Sequence, residues 1–80
     1  MQEIEFKKIF ADVMNMPVSD VEDALEYNSI GQWDSIAHMS LVAAIDKAFN
    51  IMLDTQDIID MSSFGKIKEI LGNYGVQIQC

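Results

Sequence analysis

The feature that most restricts the fold is the recurrence of apolar residues with the 3.6-residue period of a helix. Phe6, Ile9, Phe10 and Val13 fall at i, i+3, i+4 and i+7, with Lys7, Lys8 and Asp12 between them, which predicts an amphipathic helix over roughly residues 2–15. Pro17 is expected to end it, because proline cannot continue the hydrogen-bond ladder. Residues 16–33 sustain no period and collect Pro, Ser, Asp, Asn and Gly. They read as a long first loop with one helical turn around Val21–Leu25, and a loop of that length in a small domain is often functional.

The helical period returns from Asp34 to Phe49, with Asp34 or Ser35 as N-cap and Asn50 closing the helix. Asp54 followed three residues later by Asp57 resembles a capping arrangement for a short helix near 55–60 that carries Ile58 and Ile59. Ser62 or Ser63 caps a last helix whose buried stripe is Phe64, Ile67, Ile70 and Leu71, and Gly72 supplies its stop. The tail from Asn73 to Cys80 is expected to pack loosely. The expectation is an all-α, four-helix bundle with a long first loop and a short third helix, a single domain over 1–80.

Eighty residues make about one small domain, whose core supplies only a few kcal/mol of net stability. That argues against a deep, enclosed active site. Half the residues are apolar and six are Met, enough for a core that is adaptable. Five Lys against thirteen Asp plus Glu give a net charge of −8, which repels nucleic-acid phosphates and anionic membrane surfaces. A basic protein surface fits better, although acidity also simply keeps a small protein soluble. The sole cysteine, Cys80, allows no intrachain disulfide, zinc spacing or redox pair, and it is not placed for prenylation. The charged start MQEIEFKKIF is no secretory signal, and no apolar run reaches membrane-spanning length. A cytoplasmic monomer is expected.

Around the second helix, Leu41, Val42, Ile45, Ala48 and Phe49 cluster on one side as a core stripe. Ile36, Met39 and Ala43 cluster on nearly the opposite side, where a simple bundle needs no apolar residue. Either the long loop covers this second face or a partner does, in the manner of a helix in a groove.

The segment Q32-W-D-S-I-A-H-M-S-L41 places Asp34, Ser35 and His38 within five positions. As a catalytic triad the set is poor. His38 falls beside the core stripe, Asp34 at a cap bonds naturally to backbone N–H groups, and no nucleophile elbow or Gly-rich turn adjoins Ser35. As helix caps, Asp34 and Ser35 are redundant, which leaves one of them free. The third reading is covalent attachment, because a serine at a helix start presents its hydroxyl where unpaired N–H groups and the macrodipole favour a phosphate ester.

Asp34-Ser35-Ile36, followed by Met39-x-Leu41-Val42-x-x-Ile45-x-x-x-Phe49-x-Ile51, resembles the head and body of the second helix of the acyl and peptidyl carrier proteins. Length, acidity, helix order and the long first loop extend the resemblance from the first helix to Leu71. It implies that Ser35 accepts 4′-phosphopantetheine from coenzyme A through a phosphopantetheinyl transferase. The thiol of that arm would carry an acyl or aminoacyl group as a thioester, to and from loading and transfer enzymes. The protein would then be a carrier and no enzyme. The resemblance gives Asp34 the roles of helix cap and of recognition element for the transferase and its metal-bound coenzyme, and makes Ile36, Met39 and Ala43 a docking surface. Trp33 is read as a specificity contact for a partner or as a loop anchor in the core.

Carriers of fatty acid synthesis usually have Gly or Ala close before Asp-Ser and several acids along the second helix. Here Gln32-Trp33 precede Asp34, and Ser40, Asp46 and Lys47 stand along the helix. The acids gather instead in the first loop (Asp20, Glu22, Asp23, Glu26) and around the third helix (Asp54, Asp57, Asp60). Trp-Asp-Ser with the following His-Met looks more like stand-alone carriers of specialised pathways such as polysaccharide, polyketide or nonribosomal peptide synthesis. The alternative is an unmodified helical interaction module that uses the Ile36/Met39/Ala43 face.

Overall fold

In a computed structural model, which describes residues 1–79, the chain forms four α-helices: α1 (Glu3–Met14), α2 (Ser35–Phe49), α3 (Thr55–Asp60) and α4 (Phe64–Asn73). Cys80 lies outside the described residues. Three of the helices start on side-chain caps: Asp34 accepts from the Ala37 amide, Asp54 from Gln56 and Ser63 from Lys66. A cap satisfies one of the amides that every helix start leaves unpaired.

The helix ends depart from the proline and Gly72 stops expected of the sequence. α1 ends two residues before Pro17 is reached, on Asn15 in the left-handed region (φ 55°), with the Met16 amide donating to the Ala11 carbonyl. α2 ends the same way on Asn50 (φ 54°). Gly72 is an interior residue of α4, and the left-handed residue is Gly75 (φ 81°). The Val76 amide donates to Leu71 and the Gly75 amide to Gly72, the paired bonds of a Schellman ending. Gly75 takes this role rather than Gly72 because the half-buried Val76 then packs against the core.

The first loop is also tied more tightly, and turned elsewhere, than its sequence suggests. Its one helical segment is a 3₁₀ turn at Val18–Asp20, started by Pro17 (φ −64°), while Val21–Leu25 holds only an isolated turn at Asp23–Ala24, closed by the Leu25 amide on the Glu22 carbonyl. From there the loop runs beside the start of α4, with amide-to-carbonyl bonds from Tyr27 to Ser62, Phe64 to Leu25 and Gly65 to Asp23. A Cβ at Gly65 would stand 3.2 Å from both the Cβ and the carbonyl oxygen of Asp23, so any larger residue would have to push the two backbones apart by a few tenths of an ångström. Lys68 adds an ion pair to Asp23 at 2.7 Å and another to Glu3, joining α4, the loop and α1.

Aromatic rings fill the centre. Phe6 and Phe10 of α1, Phe64 of α4 and Trp33 of the loop are wholly buried. Ring centroids lie 5.3 Å apart for Phe6–Phe64, 5.2 Å for Phe10–Phe64 and 5.0 Å for Phe10–Trp33, separations at which aromatic pairs attract beyond their area burial. Leu41 and Ile45 of α2 close the core from the other side.

In place of the loosely packed tail expected from residue 73 onward, residues 74–79 lie along the bundle. Tyr74, Val76 and Ile78 pack on the core, and Gln79 exchanges backbone bonds with Met1 and Glu3. Alternation turns Val76 and Ile78 inward while Gly75, Gln77 and Gln79 stay exposed.

Candidate functional site

Ser35 is the first residue of α2 and is exposed. Asp34, in extended backbone (φ −102°, ψ −173°), turns its carboxylate back over the helix start, where Oδ1 accepts from the Ala37 amide at 2.9 Å. The cap is thus the aspartate, and the serine hydroxyl beside it is left to solvent at the positive end of the helix dipole.

His38 belongs to a different system. Its Nδ1 accepts from the Trp33 indole N–H at 3.0 Å, and its Nε2 stands 2.9 Å from the Ile58 carbonyl oxygen. Indole nitrogen only donates and a carbonyl only accepts, so the imidazole is the neutral tautomer with its proton on Nε2. Both ring nitrogens are therefore engaged, and neither is available as a general base for Ser35. Asp34, Ser35 and His38 do not form a triad. Among the described residues, no buried side-chain nitrogen or oxygen lacks a partner.

Trp33 does not belong to the docking surface, which corrects its reading as a partner contact. It is wholly buried, edge-on to Phe10 and to Tyr27, whose ring centroid is 5.9 Å away. An indole here fills a large volume and still has its one polar group satisfied, by His38. It anchors the end of the first loop in the core, directly before Asp34.

Ile36 is 78 % exposed and Met39 56 % exposed, and Ala43 is exposed on the same side of α2. The long loop does not cover this face; it packs instead beside α4. Of the other exposed apolar side chains, which the sequence did not single out for docking, the two most exposed are Met52 after α2 and Ile59 on α3. Neighbouring isoleucines on a helix of six residues cannot both face the core, which is the signal that Ile59 offered.

Between the first loop and α3 lies an open groove of about 680 Å³ whose lining includes Tyr27, His38, Ile58, Met61 and Ser62. His38 sits one helical turn beyond Ser35. Nothing in the sequence pointed to this groove, because it depends on the loop folding back along α4. Beside it, the Tyr74 hydroxyl donates to Asp57 at 2.6 Å and accepts from the Asp54 amide at 2.9 Å. Asp57 therefore serves the tail rather than closing a capping box with Asp54. The hydrogen bond to Asp57 is the main reason that the Tyr74 hydroxyl holds its proton above the usual tyrosine range.

No helix among the described residues is long and apolar enough to cross a membrane, and no group of His, Cys, Asp and Glu there is arranged to hold a metal ion. No curated protein matches the chain. The family model described as the phosphopantetheine attachment site matches residues 5–71, from the first turn of α1 almost to the end of α4, with the head of α2 inside the match. An all-α bundle with these helices and this match together show that the chain belongs to the phosphopantetheine attachment-site family, carrier proteins that bear a covalent 4′-phosphopantetheine.

Proposed function

We propose that this protein is a stand-alone carrier whose phosphopantetheine is attached at Ser35 and which serves a specialised pathway with acyl or aminoacyl intermediates. The observation that carries the reading is the separation of roles at the head of α2. Asp34 caps the helix and His38 is bonded on both ring nitrogens, while the Ser35 hydroxyl is exposed and uncommitted. A phosphodiester fits there, because the helix start favours negative charge and nothing buries it.

In the attachment step, Ser35 Oγ bonds to the phosphorus that bears the pantetheine in coenzyme A. The pyrophosphate P–O bond breaks, adenosine 3′,5′-bisphosphate leaves, and the hydroxyl proton passes to a base of the phosphopantetheinyl transferase. Once bound, the arm supplies a thiol that takes the cargo as a thioester. This chain supplies the mount and a docking face and, as with carrier domains generally, no catalysis. Asp34 holds the helix start in the form the transferase meets. Ile36, Met39 and Ala43 form the apolar contact for the transferase and for loading and transfer enzymes, as helix faces do when they enter a partner's groove. The acids outside α2 favour partners that bring basic residues to the first loop and α3.

Incubation with coenzyme A and a broad-specificity transferase should add the mass of one arm, and Ser35→Ala should abolish the gain while leaving the helical circular dichroism intact. An adduct that persists in Ser35→Ala would move the attachment elsewhere and refute the assignment.

A further inference from the structure

The first turn of α2 is closed by three bonds, and only two of them are common to capped helices. The Asp34 carboxylate accepts from the Ala37 amide at 2.9 Å, and the Asp34 carbonyl accepts from the His38 amide at 2.8 Å. Helix starts closed in this way still fray, because their remaining amides have no partner within the helix. Here a third bond, from the Trp33 indole N–H to His38 Nδ1 at 3.0 Å, spans the turn from outside. Both side chains are buried, and their rings lie near to parallel with centroids 6.1 Å apart. For the turn to open, this pair has to part in the protein interior, where a stranded donor is costly.

Ser35 lies between the two anchors along the chain and stays exposed. Its hydroxyl has to approach phosphorus in line with the pyrophosphate oxygen that leaves, and a misplacement of about 1 Å can cost such a reaction on the order of 100-fold in rate. The other bond of the imidazole, from Nε2 to the Ile58 carbonyl at 2.9 Å, leads away to α3 and does not cross the turn. The two ring nitrogens therefore have separable roles.

We propose that Trp33 and His38 are positioning residues for arm attachment, and that the bond between them, rather than the bond to α3, holds the Ser35 hydroxyl in the direction that transfer needs. Both act through Ser35 and neither exchanges a proton with it. This inference rests on the assignment of the arm to Ser35.

Two amide variants separate the nitrogens. His38→Asn sets its oxygen as many bonds from Cα as Nδ1, so it keeps an acceptor for the indole and gives up α3. His38→Gln sets its amide nitrogen where Nε2 stands, so it keeps α3 and gives up the indole. Each loses one bond, and their urea midpoints should fall alike. The N–H signal of Trp33, the only tryptophan, reports in each whether the indole bond is made. With coenzyme A and a broad-specificity transferase, His38→Asn should keep the kcat of the parent for arm attachment. His38→Gln and Trp33→Phe should lose about tenfold or more in kcat with KM unchanged, because the docking face is intact. An indole bond lost without a fall in kcat, a kcat that follows the urea midpoint instead, a loss confined to KM, or a parent-like kcat in Trp33→Phe would overturn the inference alone. A parent protein that takes no arm, or an arm that persists in Ser35→Ala, would overturn the assignment of the arm, and this inference with it.

Discussion

Replacing His38 by leucine isolates the contribution of the Trp33–His38–Ile58 chain, because leucine keeps an apolar side chain while removing both hydrogen-bonding nitrogens. The Trp33 indole N–H, in a wholly buried side chain, then has no acceptor, and an orphaned buried donor costs about 1–3 kcal/mol. The Ile58 carbonyl loses less, since the Met61 amide still approaches it at 3.4 Å; about 1 kcal/mol is a fair figure for that bond. The expected loss is about 2–4 kcal/mol, a large share of a small domain's stability, which is at the low end of about 5–15 kcal/mol. Trp33→Phe strands His38 Nδ1 in the same way and also leaves a void. The double variant strands neither group against the other. It should therefore be more stable than the sum of the single changes predicts, by a coupling of about 1–2 kcal/mol. Urea denaturation followed by far-ultraviolet circular dichroism measures all four proteins, since Trp33 is the only tryptophan and fluorescence is lost with it. Additivity within about 0.5 kcal/mol would mean that the two side chains contribute through packing alone.

The two glycines near the end of α4 should respond with opposite signs to alanine. Gly72→Ala, at a helical position with open space around it, should stabilise by about 0.5–1 kcal/mol, and Gly75→Ala, at φ 81°, should destabilise by about 1 kcal/mol; equal signs in chemical denaturation would reject the Schellman ending. Partial burial lowers the affinity of Lys68 for its proton, but hydrogen bonds to Asp23 and Glu3 and their charges outweigh it and hold the ammonium above the usual lysine range, as Asp57 holds the Tyr74 hydroxyl. Both groups bind their proton more tightly when folded, so their contribution is complete below the unfolded values of about 10 and 10.4 and is lost as pH rises through the higher folded ones. Tm should fall above about pH 10 and fall less steeply in Lys68→Met with Tyr74→Phe; an unchanged alkaline slope in that double variant would remove these groups as its source. Met39→Asp should leave the urea midpoint almost unchanged, because the side chain is mostly exposed, while slowing arm attachment by the transferase at least severalfold, and an unaltered attachment rate would take Met39 out of the docking face.

What could be read from the sequence and what could not divides by the distance of the partner along the chain. Asp34, Asp54 and Ser63 cap amides two or three residues ahead, so the caps follow from residue type and the start of a 3.6-residue period. The exposure of Ile36 and Met39 follows from the angle between them and the Leu41–Ile45 stripe. Gly72 and Gly75 are chemically the same, and choosing between them requires knowing that Val76 finds a place on the core. Asp57 has the spacing of a capping residue, yet its carboxylate answers a tyrosine hydroxyl seventeen residues later. The 3₁₀ turn beginning after Pro17 was hidden by competing signals, since Val21 and Leu25 have helical spacing, but the Val21 amide closes the 3₁₀ turn on Val18 and the Leu25 carbonyl goes to the backbone ladder beside α4.

The same distinction explains how Ser35 is presented. Trp33 lies wholly inside the core two residues before it, and His38, three residues after it, is bonded to that indole and to α3. The head of α2 is thus fixed on both flanks by one hydrogen-bonded pair that closes around Asp34 and Ser35. A side chain held between two buried anchors keeps its direction without help from a partner, which is what a site needs if several enzymes are to meet it in turn. Trp33 in place of the small residue usual before Asp-Ser then has a structural reason: an indole is the largest anchor available, and a domain of eighty residues has few other ways to make the end of a long loop rigid.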